Sequence, residues 1–145
     1  MKYISTRGQT EPMDFSDVLL MGLAPDGGLM LPEHYPTVAS DVLEEWRHLS
    51  YTDLALAIMQ RFATDIPHAD LKDIIDRTYT EEVFGDSDIV PVRKLEEDLY
   101  ILGLSNGPTL AFKDVAMQFL GNAFEYVLKR QDARITIIGA TSGDT

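Results

Sequence analysis

The sequence predicts an α/β protein whose mostly helical N-terminal segment with short strands leads into the start of an α/β domain. One observation is the helical spacing of apolar residues through most of residues 40–84. A second is a change after residue 85 to β-branched and large apolar residues. A third is a long helical pattern followed by an almost wholly apolar run, as in a parallel strand covered on both faces. We place the first domain at residues 1–88 and the second at 89–145.

The composition excludes several classes of protein. The chain of 145 residues is 45% hydrophobic, carries a net charge of −12 and has no cysteine. So much negative charge argues against nucleic acid or an anionic membrane as the main partner. Without cysteine there is neither a disulfide framework nor a thiolate metal site. The first ten residues contain no apolar signal core, so we expect a cytoplasmic protein.

The first elements are bounded by turn residues. Residues 1–8, MKYISTRG, alternate in polarity and predict an edge strand. Asp14 is placed to cap a short helix that Gly22 ends. The APDGG sequence that follows is a turn signal. A second short strand, LMLP, then stops at Pro32.

Three helices are predicted next. The first begins near Ser40, and the second opens with a capping box formed by Ser50 and Asp53. Pro67 suits the first turn of the third. The three histidines are isolated and have no metal-ligand spacing, so we interpret them as surface residues; they are His34, His48 and His68.

The second domain opens with a hairpin. Two apolar segments, DIVPVRKL and LYILGLS, flank an EED turn. From Lys113 onward, apolar residues keep helical spacing for about four turns. Residues 133–140, ARITIIGA, then predict a parallel strand. Since one parallel strand cannot complete a sheet and the chain stops where the next helix should start, we expect a fragment of a longer protein.

The segment SNGPTLAFKD, residues 105–114, places a lysine where chemistry is possible. Lys113 falls at the predicted helix start, close to backbone N–H groups and the positive end of the helix dipole. Leu110 and Phe112 are expected to limit its hydration. Both features favour the neutral, nucleophilic form of its amine. The alternative is a lysine that simply extends into water, as most lysines do.

The segment GATSGDT, residues 139–145, is the second candidate site. Small residues after a strand let backbone amides approach an anion closely. Thr141, Ser142 and Thr145 add hydroxyl donors suited to a carboxylate or phosphate. The spacing is not that of a Walker A loop. An ordinary strand–helix connection remains the alternative.

Together these segments resemble threonine synthase, a pyridoxal 5′-phosphate enzyme of fold type II. The resemblance rests on YISTRG, FSDVLLMGLAPDGGLMLPE, NGPTLAFKD and IIGATSGDT, which stand in the family's order. It implies that Lys113 binds the cofactor covalently and is the catalytic residue. It also implies that Thr141, Ser142 and Thr145 bind the substrate carboxylate and that Asp144 lies near the cofactor's 3′-oxygen. Phe112 and Asp114 are assigned packing and local structure.

The implied activity is that of a carbon–oxygen lyase acting on phosphate. O-phospho-L-homoserine and water would become L-threonine and phosphate in threonine biosynthesis, with Lys113 transferring protons. Residues 1–88 resemble the additional segment that distinguishes this family from simpler fold-type-II enzymes. Because the residues that hold the cofactor phosphate and face its pyridine nitrogen are expected beyond Thr145, we expect the isolated chain to have little or no activity.

Two other interpretations remain open at this point. Threonine dehydratase, cysteine synthase and related enzymes share the lysine-bearing helix start and the small-residue loop, but they generally lack the STRG and LAPDGG segment. A non-enzymatic interpretation treats the acidic helices of residues 40–84 as a protein-interaction module. It predicts that the protein does not bind the cofactor.

Overall fold

Short strands and helices make up the secondary structure of residues 1–140, which are the residues that the computed structural model describes. They form two compact units, one of Met1–Asp73 and a second beginning at Ile74. The elements are, in chain order, β1 (Tyr3–Ser5), α1 (Phe15–Met21), β2 (Met30–Pro32), α2 (Ser40–Trp46), α3 (Tyr51–Met59), α4 (His68–Thr78), α5 (Glu81–Phe84), β3 (Val92–Glu96), β4 (Leu99–Leu102) and α6 (Asp114–Arg130). The boundary between the two compact units falls within α4, between Asp73 and Ile74. It reflects how densely the residues pack and does not test where a domain begins. The domain boundary after residue 88 therefore stays a prediction.

The two short strands predicted in the first unit form one antiparallel pair. Tyr3 lies opposite Pro32, and Ser5 lies opposite Met30. Tyr3 also exchanges backbone hydrogen bonds with Met13, at 2.8 and 3.0 Å. Alternation in β1 buries Tyr3 and Ser5 while Ile4 faces outward. The predicted edge strand and its partner are thus confirmed.

Helix α1 has the predicted bounds but a different cap. It begins after Asp14 and ends at Gly22, whose φ is 73°. The Asp14 side chain makes no capping hydrogen bond, because its carboxylate pairs with Lys2 Nζ at 2.8 Å. The amide of Ser16 instead donates to Asp65 Oδ2 at 3.0 Å. A carboxylate distant in sequence therefore takes over the role that sequence assigns to the neighbouring aspartate.

Asp26 connects the APDGG turn to the loop that follows β1. Its carboxylate accepts hydrogen bonds from Ser5 Oγ at 2.8 Å and from the amides of Gly28 and Gln9 at 2.8 and 3.0 Å. Burial acts to raise the Asp26 pKa, but the bonds from Ser5, Gly28, Gln9 and Thr10 together hold that pKa below its ordinary value. Gly28 is required because a Cβ there would overlap Ser5 Oγ.

Replacing Asp26 by asparagine should lower the stability of the first unit in a pH-dependent way. Since the folded-state pKa lies below the ordinary 3.8, the carboxylate's contribution is full above that value and is lost as the pH falls through the folded-state pKa. We expect the variant's Tm to be lower than that of the wild type at neutral pH, with the gap narrowing at acid pH, below 3.8. Thermal unfolding at both pH values measures this. Glu45→Gln, at an exposed carboxylate of α2, should show no such gap; a gap independent of pH for Asp26→Asn would contradict the expectation.

The helices α2, α3 and α4 confirm the predicted series. Ser50 Oγ accepts from the Asp53 amide at 3.1 Å and donates to Asp53 Oδ2 at 2.7 Å, so a capping interaction opens α3. Helix α4 begins at His68, immediately after Pro67. The three histidines are exposed, as predicted. Four residues of α4 are at most 1% exposed; they are Leu71, Ile74, Ile75 and Thr78.

Helix α5, in the second unit, was not predicted. Thr80 caps it by accepting from the Val83 amide at 3.2 Å, and Gly85 ends it with φ of 67°. With four residues, α5 is too short to show a periodic apolar pattern. It places Phe84 in the core at 1% exposure, with its ring centroid 5.9 Å from that of Tyr79.

The predicted hairpin is present as β3 and β4. Val92 lies opposite Leu102 and Lys94 opposite Tyr100, with an irregularity between Lys94 and Glu96. Asp98 in the turn has φ of 62°. All residues of both strands are exposed. This two-stranded ribbon therefore contributes little to the core of the second unit.

The predicted helix after Lys113 is confirmed, but the predicted strand after it is wrong. Helix α6 buries Phe119, Ala123 and Val127. Residues 133–140 form no strand, and Ile138 is 93% exposed. A strand needs a neighbour that completes its hydrogen bonds, and within residues 1–140 the paired strands form only two antiparallel pairs. In the same residues, no helix has both the length and the apolarity needed to cross a bilayer.

Candidate active site

The lysine loop, residues 105–114, connects β4 to α6. The Leu110 amide donates to the Gly107 carbonyl at 3.0 Å, which closes a tight turn. Leu110 itself has φ of 60°, in the left-handed region that disfavours a leucine. Its side chain is 73% exposed, so no burial compensates for this conformation. A second turn then leads directly into α6, and Lys113 is the residue before the helix.

Lys113 occupies the cap position of α6 and is partly buried. Its Nζ lies 5.8 Å from the centroid of the Phe112 ring. The placement at the helix start confirms the sequence prediction. Leu110 and Phe112, which the sequence predicts to limit the hydration of Lys113, are themselves 73% and 60% exposed.

The amides at the start of α6 are already bonded to backbone carbonyls. The Asp114 amide donates to Ala111 O at 3.0 Å, and the Val115 amide donates to Phe112 O at 3.3 Å. These bonds complete a turn that precedes the helix, so the first N–H groups are not left open as sequence suggests for a helix start. The side chain of Asp114 is therefore available for another partner.

Asp114 binds backward to the lysine loop. Its Oδ2 accepts from the Thr109 amide at 2.8 Å, and its Oδ1 accepts from Thr109 Oγ1 at 2.9 Å. The carboxylate thus satisfies both donors of one residue, and Asp114 is only 3% exposed. We call this pair of bonds the Asp114–Thr109 clamp. It closes the segment that contains Lys113.

Gly107 provides the space for the clamp. The residue is buried, and a Cβ on it would overlap the side chain of Asp114. Sequence reasoning assigned Asp114 a local structural role, but it did not predict the contacts of Gly107 and Thr109. The available signal was an aspartate five residues after a threonine, at the start of a helix.

Hydrogen bonds also fix the surroundings of the loop. Tyr79 Oη donates to the Val115 carbonyl at 3.0 Å, in the first turn of α6. Asn106 Nδ2 donates to Asp86 Oδ2 at 3.4 Å. One bond holds the helix end of the lysine loop and the other its β4 end. The arrangement presents a primary amine on a loop tied at several points.

The second predicted site contributes nothing to this geometry. Thr141, Ser142, Asp144 and Thr145 all lie outside the described residues. Their assigned contacts stay predictions. Within residues 1–140, no three His, Asp or Glu side chains are arranged to hold a metal ion.

Comparisons with known proteins agree with the sequence resemblance. Residues 2–79 match the family described as Threonine synthase N terminus. The whole chain is 56% identical to threonine synthase from Methylobacillus glycogenes and 51% identical to that from Corynebacterium glutamicum. It covers 32% and 31% of those proteins. The chain thus spans about a third of the length of the curated relatives it matches.

Solved structures agree as well. The fold matches PLP-bound threonine synthase from Brucella melitensis with a TM-score of 0.87 and 41% identity, over 92% of this chain and 29% of that one. It matches threonine synthase from yeast with a TM-score of 0.82 and 42% identity, over 93% of this chain and 28% of that one. The chain therefore belongs to the threonine synthase family and corresponds to its N-terminal region.

Proposed function

We propose that the protein containing this chain is a threonine synthase, which converts O-phospho-L-homoserine and water to L-threonine and phosphate using pyridoxal 5′-phosphate. The observation that carries this proposal is the position of Lys113, at the start of α6 on a clamped loop, in a chain that matches a PLP-bound threonine synthase over 92% of its length. Family membership alone would leave the cofactor residue unassigned.

The lysine loop fits the cofactor in its chemistry. A primary amine is the group that condenses with an aldehyde, and Lys113 carries one on a short segment fixed at both ends. When bound, the cofactor supplies a conjugated ring that accepts charge from the substrate's α-carbon. Lys113 Nζ is proposed to hold the cofactor and, once released by the substrate amine, to carry protons to and from the reacting carbons.

The other assigned residues complete the proposal. Thr141, Ser142 and Thr145 would donate hydrogen bonds to the substrate carboxylate, and Asp144 would lie near the cofactor's 3′-oxygen. With a net charge of −12, these 145 residues disfavour an anionic substrate at long range. Local donors of this kind are what an anionic substrate requires. A fold-type-II α/β domain that begins at residue 89 is part of the same proposal.

Turnover measurements with the complete natural protein test the function. With cofactor present, O-phospho-L-homoserine should yield phosphate and threonine in equal amounts. Serine and threonine should be poor substrates. Rapid deamination of either one would instead indicate a dehydratase, and rapid replacement chemistry would indicate a cysteine synthase. Failure to bind the cofactor would favour the interaction-module alternative.

The isolated chain of residues 1–145 should show no measurable synthase activity. It spans about a third of its relatives, so most of a family member's residues are absent from it. The same phosphate-release assay measures this, with the complete protein as the positive control. Robust threonine formation by the 145-residue chain would overturn the expectation.

A further inference from the structure

The Asp114 carboxylate is used in a way that helix capping does not explain. A capping aspartate usually accepts from amides two or three residues ahead of it. Asp114 instead binds both donors of Thr109, five residues behind it, while the first amides of α6 are bonded to loop carbonyls. The side chain is 3% exposed, and a buried carboxylate is costly unless its oxygens are paired. The two bonds therefore fix the conformation of the lysine loop and do not cap the amides of α6.

We propose that Asp114 and Thr109 are positioning residues for Lys113, with Gly107 providing the space that their contact needs. The proposal rests on the proposed function of Lys113. The clamp spans residues 109–114, so Lys113 lies on the segment that it closes. Loss of either partner would release that segment at one end while α6 holds the other.

A strained residue makes the clamp necessary. Leu110 lies in the left-handed region at φ of 60° and is 73% exposed, so neither its own conformational preference nor burial keeps it there. Once the clamp is removed, the bond from the Leu110 amide to the Gly107 carbonyl is left to oppose relaxation of Leu110 to negative φ. Because Lys113 is three residues further along, that relaxation would move its Cα and with it the amine. Displacements of about 1 Å at a reacting group cost on the order of 10²-fold in rate.

The variants are chosen to weaken the clamp in graded steps in the complete natural protein. Asp114→Asn keeps the shape but leaves a single oxygen acceptor in place of two. Thr109→Val removes the hydroxyl while retaining the backbone amide, and Thr109→Ser restores the hydroxyl. Gly107→Ala introduces the Cβ that would overlap Asp114. Asp53→Asn is the matched control, since Asp53 is also bonded to a hydroxyl-bearing residue near a helix start.

Two readouts distinguish positioning from general stability. With the cofactor-loaded enzyme, we expect Asp114→Asn to lower kcat by about 10- to 100-fold with a much smaller change in KM. Without the cofactor, reductive methylation followed by peptide mass spectrometry should show a changed labelling rate at Lys113 relative to Lys129, at the far end of α6. Thr109→Val should change both readouts in the same direction by less, and Thr109→Ser should restore them. Asp53→Asn should leave both unchanged.

Each outcome bears on one proposal. Wild-type kcat and wild-type Lys113 labelling in folded Asp114→Asn and Thr109→Val would overturn the positioning role. If Asp114→Asn does not fold, Thr109→Val and its rescue by Thr109→Ser decide the question. Lys113→Ala tests the role of Lys113 separately, because cofactor attachment and turnover retained in that variant would overturn the role proposed for Lys113. Loss of cofactor attachment and turnover in Lys113→Ala, with no effect of the clamp variants, would overturn only the positioning role of Asp114 and Thr109.

Discussion

Replacing Lys113 by alanine in the complete protein is expected to abolish covalent cofactor attachment and to reduce turnover by about 10³-fold or more. The variant removes the amine proposed both to hold the cofactor and to transfer protons. Lys113 is partly buried, and residues 105–114 contain no second lysine that could replace it. Borohydride reduction of the cofactor-loaded wild type, followed by peptide mapping, should locate the tag on Lys113.

The matched control is Lys129→Ala, in the last turn of α6. It removes the same type of side chain from the same helix and should leave cofactor attachment and turnover unchanged. Stable cofactor labelling of another lysine, with full activity in Lys113→Ala, would contradict the assignment. Loss of activity in both variants would indicate a general disturbance of α6 instead.

Truncating Phe84 to alanine should destabilise the isolated chain more than other single side-chain truncations in the second unit. Phe84 is 1% exposed and contacts the Tyr79 ring. Removal of a buried phenylalanine side chain leaves a cavity and typically costs about 3–5 kcal/mol of unfolding free energy. Urea unfolding followed by circular dichroism, at low protein concentration, measures the change.

Tyr35→Ala provides the comparison for Phe84→Ala. Tyr35 is also aromatic but is 71% exposed, so its truncation should cost at most about 0.5 kcal/mol. Equal losses in the two variants would show that Phe84 does not occupy the core in solution. A larger loss for Phe84→Ala would confirm that this ring lies in the core.

The sequence predicted elements whose causes are local. Gly22 ends α1 and Ser50 caps α3 because turn and capping chemistry depends on a few adjacent residues. The apolar spacing of α4 and α6 likewise identified their buried faces. The lysine was placed correctly at the start of α6 for the same reason. Recognition of the family then followed from segments that stand in a fixed order.

The failures concern partners that are distant along the chain or set by backbone conformation. Residues 133–140 have the composition of a buried strand, but composition cannot supply the neighbour that a strand must pair with. The Asp14 carboxylate was expected to cap α1, but it forms an ion pair with Lys2 instead. The contact of Asp114 with Thr109 depends on the left-handed turn at Leu110, which leucine does not suggest.

The β3–β4 ribbon has a practical consequence for handling this chain in isolation. Among residues 1–140, neither of its strands has a second strand neighbour, and Val92, Leu95, Ile101 and Leu102 are each about half or more exposed. Unprotected edges bearing aliphatic side chains favour strand addition between molecules, the first step toward precipitation and fibres. Expression trials of the 145-residue chain should therefore include solubilising fusions or charged substitutions on the ribbon.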